Sequence, residues 1–208
     1  MLKDTLKQCR TYIAGLNNLI PADDRHKYGI KDLIKNSYLS IGKENYIVID
    51  VSTYLEVKWS NFKKKKSDYI ITELKLFSLS SGEIKFVEWE EDDFIEAYVT
   101  TKTLNLRDIQ YNGLKVTKNI LDEIAEKEEG ILSFNNTKFY YEEEDTFAAL
   151  YNSDKHSNIP VRIFEFYSNR GESLSVECWY DDNEDSKPEK EAFLSTELNL
   201  DTVSVLQL

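Results

Sequence analysis

Two stretches of this chain run through the same landmarks in the same order, and that constrains its fold more than any other feature. Leu39-Ser40-Ile41 precedes Tyr46-Ile47-Val48, and Leu132-Ser133-Phe134 precedes Phe139-Tyr140-Tyr141 at the same spacing. Glu73 lies ahead of Gly82-Glu83 and Val87-Glu88-Trp89. Glu165 lies ahead of Gly171-Glu172 and Val176-Glu177-Cys178-Trp179. Each stretch closes on Leu-Asn-Leu, at 104–106 and 198–200. Self-similarity of this kind points to a duplicated unit whose copies bury a face that neither can bury alone.

The segments within each stretch read as strands. Leu174, Val176 and Cys178 alternate with Ser175, Glu177 and Trp179, the period of a strand with two unlike faces. Ser80-Ser81-Gly82-Glu83 and Ser168-Asn169-Arg170-Gly171-Glu172 read as hairpin turns, with glycine supplying positive φ. A 12% aromatic content, with 13 Tyr and 10 Phe, suits pleated, half-buried surfaces.

Two helices are expected. Leu2, Leu6, Cys9, Ile13 and Leu16 form one stripe that Pro21 ends. A shorter helix is expected from Lys118 to Glu129, with Ile120, Leu121 and Ile124 as its apolar face. Thr117 or Asn119 would cap its start and Gly130 its end. The expected fold is therefore mainly β. Two related antiparallel β units, sandwich or barrel-like, are joined by a short linking helix and preceded by an N-terminal one. The boundaries are 1–22 for the N-terminal helix, 33–110 for the first unit, 111–130 for the linker and 131–208 for the second unit.

At these residues the chain resembles the bacterial domain-of-unknown-function family 4178. The second half carries most of the likeness, through Phe139-Tyr140-Tyr141-Glu142-Glu143, Val161 to Tyr167, Leu174 to Trp179 and Val203-Ser204-Val205-Leu206. Looser matches are Ser67 to Leu74 and Val87-Glu88-Trp89-Glu90. Ala192-Phe193-Leu194-Ser195 lacks the glycine that often closes the family's last turn. The resemblance implies a β-rich bacterial protein and no particular activity.

Charge narrows the function. Of the net −12, residues 1–110 contribute nothing, with 17 basic and 17 acidic groups; residues 111–208 carry 9 basic and 21 acidic. Such a surface repels phosphate backbones and argues against nucleic-acid binding. The N-terminus shows no signal-peptide pattern, no apolar run is long enough to span a membrane, and two cysteines suit a reducing compartment, so a cytoplasmic location is expected.

Catalytic and metal sets are weak. His26 and His156 lie in polar settings, neither Cys9 nor Cys178 sits in an activating motif, and no phosphate-binding glycine loop occurs. Asp181, Asn183 and Asp185 imitate a calcium loop, but Ser186 and Ala192 occupy its glycine and glutamate positions. Neither a cofactor nor a metal is expected. Lys63 to Lys66 reads as a solvated loop, and the runs Glu90 to Asp93 and Glu142 to Asp145 as solvated edges.

The repeated carboxylates remain. Glu88 and Glu177 occupy matching places, beside Trp89 and Trp179, and Arg162 is a candidate partner. Were the copies to face each other, a close carboxylate pair would have one raised pKa. These five residues form the candidate binding set. The expected function is a non-enzymatic protein-interaction module, immunity-like, meeting a basic partner through acidic and aromatic patches. The alternative is a small-ligand binder, or a carboxylate-dependent enzyme, using a cleft between the units.

Overall fold

A computed structural model of the chain describes residues 18–180 and 187–208. The expected stripe from Leu2 to Leu16 and the calcium-like turn at 181–186 lie outside them. The described chain is mainly β, with thirteen strands and one short α-helix.

The strands are β1 (Tyr38–Ile41), β2 (Glu44–Lys58), β3 (Asn61–Ser78), β4 (Ile84–Glu91), β5 (Ile95–Thr103), β6 (Gln110–Tyr111) and β7 (Leu114–Lys115). After helix α1 (Lys118–Lys127) come β8 (Ile131–Phe134), β9 (Thr137–Asn152), β10 (Ile159–Ser168), β11 (Glu172–Trp179), β12 (Glu189–Glu197) and β13 (Val203–Gln207). Gly82 and Gly171, both at positive φ, sit in the β3–β4 and β10–β11 turns where the sequence places them. The glycine-free stretch Ala192–Ser195 lies inside β12, paired on both sides.

The chain forms two compact units. The smaller contains the described residues through Val51, Leu74–Phe86 and Asn199–Leu208. In it β1 pairs with β13 on one side and the start of β2 on the other, and Tyr38, Ile47, Ile49, Phe77 and Leu206 pack together. Here Glu44 pins the turn after β3. It accepts hydrogen bonds from Tyr46 Oη, Ser78 Oγ and Ser80 Oγ, and these donors hold its carboxyl down at about 2.

The larger unit, Ser52–Glu73 and Val87–Leu198, holds an eight-stranded antiparallel barrel in the order β2-β3-β4-β5-β12-β11-β10-β9. Thr53–Val57 of β2 pairs with Ala148–Asn152 of β9 and closes the ring. The short strands β8, β6 and β7 extend it beyond β9.

The expected division into 33–110 and 131–208 does not match the compact units. Each unit draws on both stretches. The stretches meet edge to edge, through β2–β9 and β5–β12 hydrogen bonds. Apolar faces of the two stretches therefore do not cover each other as expected. Part of the outer wall, on β9 to β12, shares an apolar core with α1 and its flanking segments instead. Leu121 and Ile124 of α1 pack on Phe164, Phe166, Leu174, Val176 and Cys178 in the principal core. The linker is helical only over Lys118–Lys127, because 110–115 makes the β6–β7 hairpin.

Helix α1 starts where Thr117 Oγ1 accepts from Ile120 N at 3.3 Å. Glu128, not Gly130, takes the left-handed position that ends it, at φ 55°. Gly130 is needed for space, since a Cβ there would lie 2.7 Å from Ile124 Cγ1. Lys63–Lys66, read as a loop, lies within β3, and Lys66 Nζ reaches Glu56 at 2.7 Å.

Candidate functional site

Strand alternation sorts the barrel wall into two chemistries. On β11, Leu174, Val176 and Cys178 point to the outer core, while Ser173, Ser175, Glu177 and Trp179 take the other face. On β10, Phe164 and Phe166 point outward and alternate with Ile163, Glu165 and Tyr167. The second face turns to the interior of the barrel. It lines a cavity of about 430 Å³ inside the barrel.

The cavity wall is acidic and aromatic. Glu88 and Glu90 of β4, Glu96 and Tyr98 of β5, Glu165 and Tyr167 of β10, and Tyr54 and Glu56 of β2 contribute to it. Glu144 and Asp145 reach it from a bulge. Across β9 and β10, Ile163 pairs with Phe147 but Glu165 pairs with Glu142, so residues 143–146 stand opposite Phe164 alone. Thr146 Oγ1 secures the bulge, donating to Glu142 O at 2.8 Å and accepting from Glu165 N at 3.0 Å. Ile71, Phe147 and Ile163 supply apolar wall. Among the described residues, no lysine, arginine or histidine lines the cavity.

Burial without a cation sets the charge state. It pushes the Glu88 carboxyl up to about 8, with the Glu73 charge adding to the effect. Glu177, only 3% exposed, is raised well above the usual carboxylate range, by burial and then by Glu88 and Glu73. Glu165 is raised in the same way, by burial and then by Glu88 and Asp145. Nearer the turn, Glu90 is pushed up to about 7 by burial, Glu96, Asp145 and Asp92. The Tyr54 and Tyr167 hydroxyls are likewise raised, first by burial and then by these carboxylates.

Glu73 is held by Ser52 Oγ at 2.8 Å, with Tyr54 Oη at 3.5 Å. The charges that act on Glu88, Glu165 and Glu177 are all carboxylates. Buried carboxylates are costly, and a cluster of them with raised pKa values in a cavity is a candidate functional site.

Of the five residues singled out from sequence, the structure brings Glu88, Glu177 and Trp179 to the lumen. Trp179 stacks on Tyr54 and Tyr151, at ring-centroid distances of 6.3 and 5.0 Å. Trp89 alternates with Glu88 and Glu90 along β4, cross-strand from Ala97, and completes that stretch of wall. Both indole Nε1 groups are buried without a partner.

Arg162 does not join them. On β10 it falls on the outer face, where its guanidinium lies 5.0 to 5.3 Å from the rings of Trp59, Phe62 and Tyr180. It donates to Trp59 O at 3.1 Å and Tyr180 Oη at 3.2 Å. Arg162, one of the candidate partners for the glutamates, is not beside them: one residue of strand alternation puts it on the other side of the wall. Cys178 is also on that outer face, and burial pushes its thiol up to about 11, far from the reactive thiolate.

Sequence reasoning missed Glu90, Glu96, Glu144, Asp145 and Glu165 as site residues. The runs at 90–93 and 142–145 read as solvated edges in the sequence, but Glu90, Glu144 and Asp145 line the cavity. A usable signal was present, since Glu88, Glu165 and Glu177 each interrupt strands where carboxylates are disfavoured.

Among the described residues no group of three His, Cys, Asp or Glu side chains is arranged to hold a metal ion. No helix among them is long and apolar enough to cross a membrane. No curated protein and no solved structure matches the chain. A family model described as "Domain of unknown function (DUF4178)" matches residues 35–198. That span covers most of the chain, and the protein belongs to the DUF4178 family.

Proposed function

We propose that this protein is a non-enzymatic binding protein whose barrel lumen takes up an organic cation. The observation that carries the reading is a cavity of about 430 Å³ with an acidic, aromatic wall and no basic residue. That volume is in the range of small-molecule sites. A protonated or quaternary amine supplies the missing positive charge, and the Tyr and Trp rings offer it their electron-rich faces. Binding discharges protons from carboxylates held above their usual range, so affinity rises with pH.

Calorimetric titration with tetramethylammonium and with alkylamines at pH 8 tests this. Binding that weakens at pH 5 and in Glu88→Gln is expected. Equal binding of a neutral alcohol of the same shape would count against a charge-selective lumen.

A second reading, docking of a basic protein partner, draws on Phe94. This ring is 67% exposed in the turn between β4 and β5, beside Asp92 and Asp93 and just beyond the Glu90–Glu96 rung. A basic partner whose capture is lost in Phe94→Ser and kept in Glu88→Gln would favour docking over lumen binding.

We also infer that the two stretches descend from one copied segment. The element order supports it. Each stretch has a four-residue strand, a strand of 15 or 16 residues and three more strands. Each then has a three-residue 3-10 turn and a short strand. In both 3-10 turns the asparagine of Leu-Asn-Leu is the cap, Asn105 accepting from Arg107 N and Asn199 from Asp201 N, each at 3.0 Å. On this reading Glu73 and Glu165 form one matched pair and Glu88 and Glu177 another.

A further inference from the structure

The lumen carboxylates stand at more than one depth, and from this we infer that the ligand is a linear diamine or polyamine, with charges spaced along a chain. The inference rests on the cation-binding reading above and names its ligand class.

Glu88 and Glu90 share one face of β4, two residues apart, which separates their Cα atoms by about 7 Å along the strand. Register places Tyr98 opposite Glu88 and Glu96 opposite Glu90. A rung containing two carboxylates therefore lies next to the turn, and a second level lies deeper. The deeper level is populated by Glu88 with Glu73 and Glu177, whose charges raise one another. Glu165 links the levels, sensing Glu88 on one side and Asp145 on the other. Asp145 in turn acts on Glu90.

The wall also carries apolar and aromatic surface, Tyr98 opposite Glu88 and Ile163 opposite Glu177. Ile71, Ile163 and Phe147 offer apolar surface, and Tyr98 and Tyr167 offer ring faces. Methylene groups match the apolar surface, and protonated nitrogens match the carboxylates of the two levels. The nitrogens of an extended four-carbon diamine are about 6 Å apart, close to the step between levels. A compact monocation reaches one level and leaves the other uncompensated.

Glu177, 3% exposed, lies on the same face of β11 as Ser175, which lines the cavity, and the charges that act on it are all carboxylates.

The test is calorimetry on the full chain at pH 8 and fixed ionic strength, with butylamine, 1,4-diaminobutane, spermidine and magnesium chloride. The expected result is that the diamine binds at least about tenfold more tightly than butylamine, and that spermidine does no worse than the diamine. Glu88→Gln and Glu90→Gln should each bring the diamine close to butylamine, while Glu123→Gln on the exposed side of α1 changes nothing. Butylamine binding as tightly as the diamine would overturn the two-level inference and leave the cation site standing. No amine binding at all would remove the cation site itself. Magnesium competing on equal terms with spermidine would mean charge screening rather than recognition, and would also overturn the inference.

Discussion

The outer and inner faces of the barrel wall are built from the same strands and obey opposite rules. Outside, Phe164, Phe166, Leu174 and Val176 meet α1 in a close-packed apolar core. Inside, the intervening residues Glu165, Tyr167, Ser173 and Ser175 line a cavity. A small barrel commonly fills its interior with side chains and shows its exterior to water. Here the larger apolar core lies outside the ring, and the interior combines a smaller apolar cluster around Tyr54, Ile163 and Trp179 with buried carboxyls. The residues of the outer core and those that line the cavity are thus separate sets.

The largest test of that contrast is Phe164→Ala. It removes a fully buried ring from the outer core and should lower unfolding free energy by about 3–5 kcal/mol in urea denaturation. A loss below about 1 kcal/mol would mean that the outer core is not what holds the barrel. Next is Arg162→Ala. Three ring contacts and two hydrogen bonds go with it, for a loss of about 2–3 kcal/mol. Arg162→Lys should recover less than half, because an ammonium cannot stack as a guanidinium does.

A lumen substitution should act in the other direction. Glu88→Gln is expected to raise stability at pH 8 by on the order of 1–2 kcal/mol and to do little at pH 5. The sign follows from the raised carboxyls. With Glu88 held at about 8 and Glu90 at about 7, the folded state keeps protons that the unfolded chain loses near 4.5. Stability is full below about pH 4.5 and falls as pH rises toward 8. The groups facing Glu88 are Glu73, Glu165, Glu177, Tyr54 and Tyr98, so no neighbouring base reverses this. A thermal melt that is flat between pH 5 and 8 would refute it. The smallest effect is Thr117→Ala at the cap of α1, worth about 1 kcal/mol and visible as a small drop in melting temperature. It should leave amine titrations unchanged.

Much of this was legible along the chain and some could not be. The alternation at Leu174 to Trp179, the turns at Gly82 and Gly171, and the cap at Thr117 are local, and periodicity exposes local structure. Alternation says that two faces differ, but not whether the polar one meets solvent or a lumen. That depends on Thr53–Val57 finding Ala148–Asn152 almost a hundred residues away. For the same reason the acidic runs at 90–93 and 142–145 looked solvated, and Arg162 looked like a partner for Glu177. In the β10–β11 register Arg162 pairs with Cys178 and Ile163 with Glu177, and that one-residue offset separates a stacking anchor from a neutralising base.

The bulge at 143–146 has a consequence for change in this protein. It carries Glu144 and Asp145 to the cavity while contributing no rung of its own to the β9–β10 ladder. Lengthening, shortening or rewriting those few residues would change the cavity wall at Glu144 and Asp145 while the paired rungs on either side keep their register. The lining can therefore vary in size and charge there while the scaffold stays as it is.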